Sequence, residues 1–472
     1  GAMLILGSTK ANATDYFTGT STVISPLTSG SVTVETATNT KTNLTNTDTR
    51  SDTSSTDVIF APTSWANSYY ITPTTVTDYY GTGQNAYSLN QNPEYLKLDL
   101  TFASGANANN ITKQGATIYT APTSPALVPV SSTSTYSLTQ TSTSIDYSAN
   151  LIFQGNNTIS GYTGIGDGNI KLNGTNIVFN GIVTAGSIDV ATAGIGTFNS
   201  SVNITNLNMT GTGTVILNSD LTGNVVATGN NQGILTTTGL NKTITGNIGS
   251  STSLDLNTLN IGSDTDATNY SITTINGNVF ANSTVLNNNG TTNSSELILA
   301  SGKNITSTIT TADNGKGILT LFGGTQTVTG QVGTGGVGGA SLAEVNAGAN
   351  GATSTFAGDV YATNLEVEGT GTVNLGGDFT GTAIRYNADG TVIVATGNDV
   401  NSAITNNTGI DSQGTLTLNG SSTVTGQVGA SGASLKEINA GVAGSTSTFN
   451  SNVYVTNLNM TGTGTVILNS DL

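Results

Sequence analysis

The sequence predicts an all-β protein: a right-handed parallel β-helix with a non-repetitive N-terminal cap. Three observations carry that expectation. All seven prolines lie between Pro26 and Pro129, and a proline inside a ladder strand would remove a backbone donor. Residues 205–221 recur letter for letter as residues 456–472, and internal repeats decide an architecture before any local signal does. The chain is rich in Thr, Val, Asn and Ser, with 60 Gly and only 8% charged residues, which pairs β-branched strand formers with tight-turn formers. No useful window shows the i, i+3, i+4 spacing of an amphipathic helix.

Composition also narrows the chemistry. Cysteine and histidine are both absent, so thiol nucleophiles, imidazole bases and thiolate or imidazole metal sites are excluded together. Eleven Lys and Arg against 27 Asp and Glu give a net charge of −16. The cations are spread from Lys10 to Lys436 with no cluster along the sequence, whereas nucleic-acid binding needs a basic patch. Nucleic acid is therefore not expected as a partner. No apolar run reaches the ~18–20 residues of a spanning helix.

In chain order, Gly1-Ala2-Met3 reads as a cloning scar. Leu4-Ile5-Leu6-Gly7, followed by Ala11-Asn12-Ala13, reads as the tail of a secretory signal, against the plainer alternative of an ordinary N-terminus. Residues 1–13 are set apart on that basis. Residues 14–147 are expected to form the cap or a small β domain, because the first coil of a solenoid must be covered. This segment holds the single tryptophan, Trp65, together with Tyr69, Tyr70, Tyr79 and Tyr80. Paired aromatics offer rigid contact area to a partner; the competing reading makes them the cap's own core.

Residues 148–472 are expected to be the solenoid, truncated at its C-terminus, with a repeat of about 80 to 95 residues. Its markers are T-G-[NQ]-[IV]-G at Thr245, Thr329 and Thr425, each preceded by a Gly-led strand at Gly233, Gly317 or Gly414. Each is followed by Ser-Leu, at Leu254, Leu342 and Leu435, and an aromatic follows Thr at Phe198, Phe356 and Phe449. Ile275 takes the Phe place in the weakest copy. Short strand-like runs such as Thr214-Val-Ile-Leu217 alternate with N-G, G-N and G-G turns. About four coils of 20 to 25 residues per repeat would account for the unit. A sandwich array would carry a recurring core Trp, and this region has none.

Chemistry-bearing constellations are few. Asp264, Asp266 and Asn269 could ligate a hard cation through oxygen, although an Asx-rich turn explains them more simply. The run Gly333–Gly339 lacks the Lys-Ser/Thr ending of a phosphate loop and reads as a loop between coils. The two arginines, Arg50 and Arg385, stand far apart in sequence. No catalytic residue, cofactor or enzymatic activity is expected.

Thr425-Gly-Gln-Val-Gly429, Ser434-Leu-Lys-Glu-Ile-Asn-Ala-Gly441, Ser447-Thr-Phe449 and Gly414-Thr-Leu-Thr-Leu-Asn-Gly420 resemble the passenger domains of rickettsial outer-membrane autotransporters, the surface cell antigen group. The likeness covers roughly residues 190–472. It implies a surface-displayed solenoid on the outer membrane, exported through a C-terminal membrane barrel and attaching to host cells. The expected partner is then a host-cell surface protein or glycan. Two other classes stand beside that expectation: a polysaccharide-cleaving β-helix enzyme, and a structural surface-layer or ice-binding solenoid.

Overall fold

The computed structural model of the chain describes residues 14–17, 43–61, 95–120, 141–145, 147–263, 270–287 and 293–472. Every regular element among them is a β-strand, and the strands stack in parallel on those one turn before and one turn after. The protein is an all-β parallel solenoid, as the proline distribution and the repeats require. It divides into two compact units, residues 1–188 and 189–472.

In the first unit, parallel pairing is already present upstream of residue 148. Asn43–Arg50 pairs with Tyr95–Phe102, and Tyr95–Phe102 pairs in turn with Ser148–Phe153. A second series runs Thr14–Phe17, Asp57–Phe60, Ile111–Lys113 and Thr163–Gly164. Residues assigned on sequence to the cap thus contribute strands to the same parallel ladder. Upstream of residue 148 successive rungs lie 43 to 54 residues apart, which leaves no short period to read. Ala116–Thr120 and Thr141–Ile145 form a separate antiparallel pair. Inward positions carry large rings: Phe102 stacks on Phe153 at 4.7 Å, and Phe179 meets Phe153 edge-on at 5.3 Å, a geometry that adds to plain area burial. Arg50 is buried because its guanidinium is bonded, with Nε donating to the Asn107 carbonyl at 2.9 Å and Nη2 to Thr56 Oγ1 at 2.6 Å.

In the second unit each turn visits three strand tracks. One turn passes through Thr214–Leu217 and then Leu221–Ala227, whose two halves occupy the second and third tracks. A turn later Ile234–Thr237 lies on the first, Lys242–Thr245 on the second and Ile248 on the third. The rise between stacked residues takes 19 residues at Asn199 to Asn218 and 31 at Asn247 to Asn278, the surplus going into corner loops. Most four-residue strands alternate half-exposed and buried positions, as in Thr391–Val394, because successive side chains of a strand point to opposite faces.

The sequence markers acquire physical causes here. In T-G-x-[IV]-G the branched residue makes a single parallel bridge in each direction: Ile248 with Val225 and Val279, Val332 with Ile309 and Val360, Val428 with Ile404 and Val453. The closing glycine has positive φ and sits against the backbone of the next turn. A Cβ on Gly249, Gly333 or Gly429 would approach the carbonyl oxygen of Phe280, Tyr361 or Tyr454 to 2.3, 2.2 and 2.4 Å. The Gly-led strands open the same way, with Gly414 at φ +86 directly over the buried Tyr386 ring. Phe198, Phe356, Phe449 and Ile275 are all buried. One marker shifts. Leu342 and Leu435 begin their strands and are buried, but Leu254 is 40% exposed, and Leu256 takes the core position. Leu254 is itself a member of the tight turn, bridged to Ser251, whereas in the third copy the corresponding bridge joins Ala430 and Ala433 and leaves Leu435 to the core.

Corner polar groups are satisfied along the stack. The Asn247 N–H donates to Asn224 Oδ1 at 3.0 Å, Asn278 N–H to Asn247 at 2.8 Å, and Asn304 N–H to Asn278 at 2.9 Å. On another corner Asp378 N–H donates to Asp359 Oδ1 at 2.9 Å and Asp399 N–H to Asp378 at 2.8 Å. Each rung lends an acceptor to a backbone donor that the turn leaves orphaned.

Candidate ligand groove

A polar concavity of the first unit is built on three stacked strands, Tyr95–Phe102, Ser148–Phe153 and Asn169–Leu172. Their inward residues, among them Leu98, Leu100, Leu151 and Ile170, are fully or almost fully buried and lock the register, since a one-residue slip would turn these apolar groups outward. The alternate residues therefore face out together: Lys97 and Asp99, then Ser148, Asn150 and Ile152, then Asn169 and Lys171. With Asp167 from the preceding turn they line a groove of about 300 Å³.

Its floor is preorganised. Ser148 and Asn150 are buried, at 5% and 6% exposure. Ser148 Oγ donates to Asn150 Oδ1 at 3.0 Å, Asn150 Nδ2 donates to Asp99 Oδ1 at 2.8 Å, and the Asn169 N–H donates to Asn150 Oδ1 at 2.9 Å. Charge sits on the rim. Lys97 Nζ is 3.5 Å from Asp99, and Lys113 Nζ, lying over the Tyr147 ring at 4.7 Å, is 3.5 Å from Asp167. The Tyr147 hydroxyl is anchored between the Phe60 and Gln114 carbonyls, at 2.9 and 2.7 Å. Lys171 makes no ion pair among the described residues. Two of the chain's eleven cations thus line one groove, and a third, Lys113, pairs with its Asp167. They are invisible as a cluster in the sequence because irregular rungs separate them, Lys113 reaching Asp167 from 54 residues away.

The second unit brings a different set together on its second track. Glu366 is 5% exposed; Arg385 Nη1 donates to its Oε1 at 3.2 Å, and Asn387 Nδ2 donates to its Oε2 at 3.0 Å and to Glu368 Oε1 at 3.2 Å. Burial pushes the Glu366 carboxyl up, Glu344 and Glu368 add to that, and Asn387 with Arg385 opposes it. Nearby, burial raises the Asp389 carboxyl, but the 2.7 Å contact with Lys436 and the Gly414 N–H outweigh it and hold Asp389 below its ordinary range. A shallower depression of about 230 Å³ is lined by Thr306, Thr308, Thr329 and Phe280.

Trp65, Tyr69, Tyr70, Tyr79 and Tyr80 lie in residues 62–94, and Asp264, Asp266 and Asn269 in residues 264–269; both segments are outside the described residues. Among the described residues no group of three or more carboxylates is arranged to hold a metal ion, and no helix is long and apolar enough to cross a membrane. The Gly333–Gly339 run forms a surface loop closed by the Ala340 N–H donating to Thr334 Oγ1 at 2.7 Å. Comparison with protein-family models, with curated proteins and with solved structures finds no match.

Proposed function

We propose that this chain is the surface-exposed part of a bacterial attachment protein, with the 189–472 solenoid as spacer and the N-terminal unit as the region that meets the host cell. The observation that carries this reading is the unequal distribution of interaction-ready groups. Along the second unit, corner polar groups are spent on neighbouring rungs, as in the Asn and Asp ladders. The first unit has corner bonds of the same kind, Thr158 N–H to Asn107 and Tyr162 N–H to Asn110, but adds a groove whose lining carries Lys97, Asp99, Asp167 and Lys171 over a buried polar floor. The autotransporter resemblance of residues 190–472 points the same way.

The rival reading, polysaccharide cleavage, needs carboxylates available to act as acid and base. Both oxygens of Glu366, the buried carboxylate of the second unit, already accept from Arg385 and Asn387. The test is adherence. Beads coated with the 472-residue chain are expected to bind cultured epithelial or endothelial cells severalfold above albumin-coated beads, with soluble chain competing. Adherence equal to albumin, or turnover of acidic glycans by the purified chain, would reject the proposal.

A further inference from the structure

We infer that the groove of the first unit binds a saccharide bearing a carboxylate, such as a uronate or sialate residue; this rests on the attachment reading for its biological use. The chemistry of the lining selects that class. Ser148, Asn150, Asn169 and Asp99 place hydroxyl, amide and carboxylate groups side by side on adjacent strands. Such a surface offers both donors and acceptors, which vicinal sugar hydroxyls require. Ile152, in the same row, gives a C–H face somewhere to rest.

The rim supplies the sign. Lys97 pairs with Asp99, and Lys113, which is not itself part of the lining, pairs with Asp167, so Lys171 is the lining cation whose charge is not offset by an ion pair among the described residues, in a chain of net charge −16. Lys171, exposed and without an ion pair among the described residues, is the group placed to meet a ligand carboxylate. The floor is held by its own hydrogen bonds before any ligand arrives, so little ordering is needed on binding.

Calorimetric titration of the full chain with trigalacturonate and with 3′-sialyllactose tests the inference, using methyl-esterified trigalacturonate and lactose as neutral counterparts and inorganic phosphate as a plain anion. One or both acidic sugars are expected to bind at least tenfold more tightly than the matching neutral sugar, and the two arms tell uronate from sialate. Lys171→Gln should weaken that binding about tenfold, Lys171→Arg should retain most of it, and the far-ultraviolet circular dichroism of both variants should match the parent. Equal affinity for acidic and neutral sugars, phosphate binding as tight as the sugar, no binding at millimolar concentration, or an unaffected Lys171→Gln variant would each overturn it. Bead adherence without sugar binding would remove the groove inference and leave attachment standing. Sugar binding without adherence would do the reverse.

Discussion

Glu366 shows how a single side chain can set a pH dependence. Its carboxyl is almost fully covered and titrates above its ordinary range because burial disfavours the charged form. A folded pKa raised above the unfolded one means that the folded state holds the proton more tightly. The associated stability is present below the unfolded value of about 4.5 and is lost as pH rises through the folded pKa. Glu366→Gln is therefore expected to flatten the fall in melting temperature above pH 4.5 and to leave the protein at least as stable at about pH 7. Arg385→Gln should do the opposite, destabilising by about 1–3 kcal/mol at pH 7, where it strips a buried charge of its partner, and little at pH 4. Melting curves of the two variants across pH check both; a steeper decline for Glu366→Gln would contradict the assignment. None of this was legible in the sequence, where acidic residues look isolated. Glu366 and Arg385 are neighbours only because one turn here takes 19 residues, and the turn length changes from rung to rung.

At the scale of an element, the corner ladders explain why Asn and Asp are so frequent at turn ends. Asn278 both donates its N–H to Asn247 Oδ1 and accepts the Asn304 N–H. Asn278→Ala leaves the Asn304 N–H to water at a cost of about 1 kcal/mol. Asn278→Asp keeps an acceptor in place, as Asp359 and Asp378 do on the other corner. Hydrogen exchange at the Asn304 amide is expected to quicken roughly fivefold in the alanine variant and to stay near the parent rate in the aspartate variant. Equal acceleration in both would show that the side-chain oxygen is not what protects this amide. Much of this level was readable: the strands, their alternation and the glycine-closed turns follow from composition and spacing. What misled was loop arithmetic, as with Leu254, which closes a tight turn with Ser251 while the core position falls two residues later, to Leu256. The first unit upstream of residue 148 was hidden for a related reason, since rungs 43 to 54 residues apart give no period.

Across the second unit the repeats do not return to the same face. The Gly-led strand lies on the first track as Ile234–Thr237, on the second as Ile318–Leu321 and on the third as Thr415–Leu418. Phe280, Tyr361 and Tyr454, each following a bridge residue, are distributed over the three tracks in the same way. Equivalent positions of these three copies therefore do not line up on one wall, which weighs against any ligand that needs a flat periodic array. Only the two identical segments come back into phase. Leu207 and Leu458 share the third track, linked by the pairings through Val225, Ile248, Val279, Ile305, Val328, Phe356, Leu375 and Val394, and through Leu416 and Ile438 in the same strands.

That coincidence provides an internal control on what holds the solenoid together. The two segments have the same sequence, hence the same intrinsic propensities and exchange chemistry, and within the 472-residue chain they differ in the turns stacked against them. Met209 is fully buried beneath the following turn, whereas Met460, its counterpart, is 52% exposed. If coil stability comes from nearest-neighbour stacking rather than from the strand itself, amides in 207–217 should exchange more slowly than those in 458–468 by roughly two orders of magnitude or more. Peptides from the two copies can be told apart in mass by their flanks, Ile204 before one and Val455 before the other. Leu217→Ala should then destabilise by about 2–5 kcal/mol, and Leu468→Ala by far less, because only the first opens a cavity in a closed core. Similar protection in both copies would mean that each strand is stable on its own account, and that stacking of one coil on the next adds little to it.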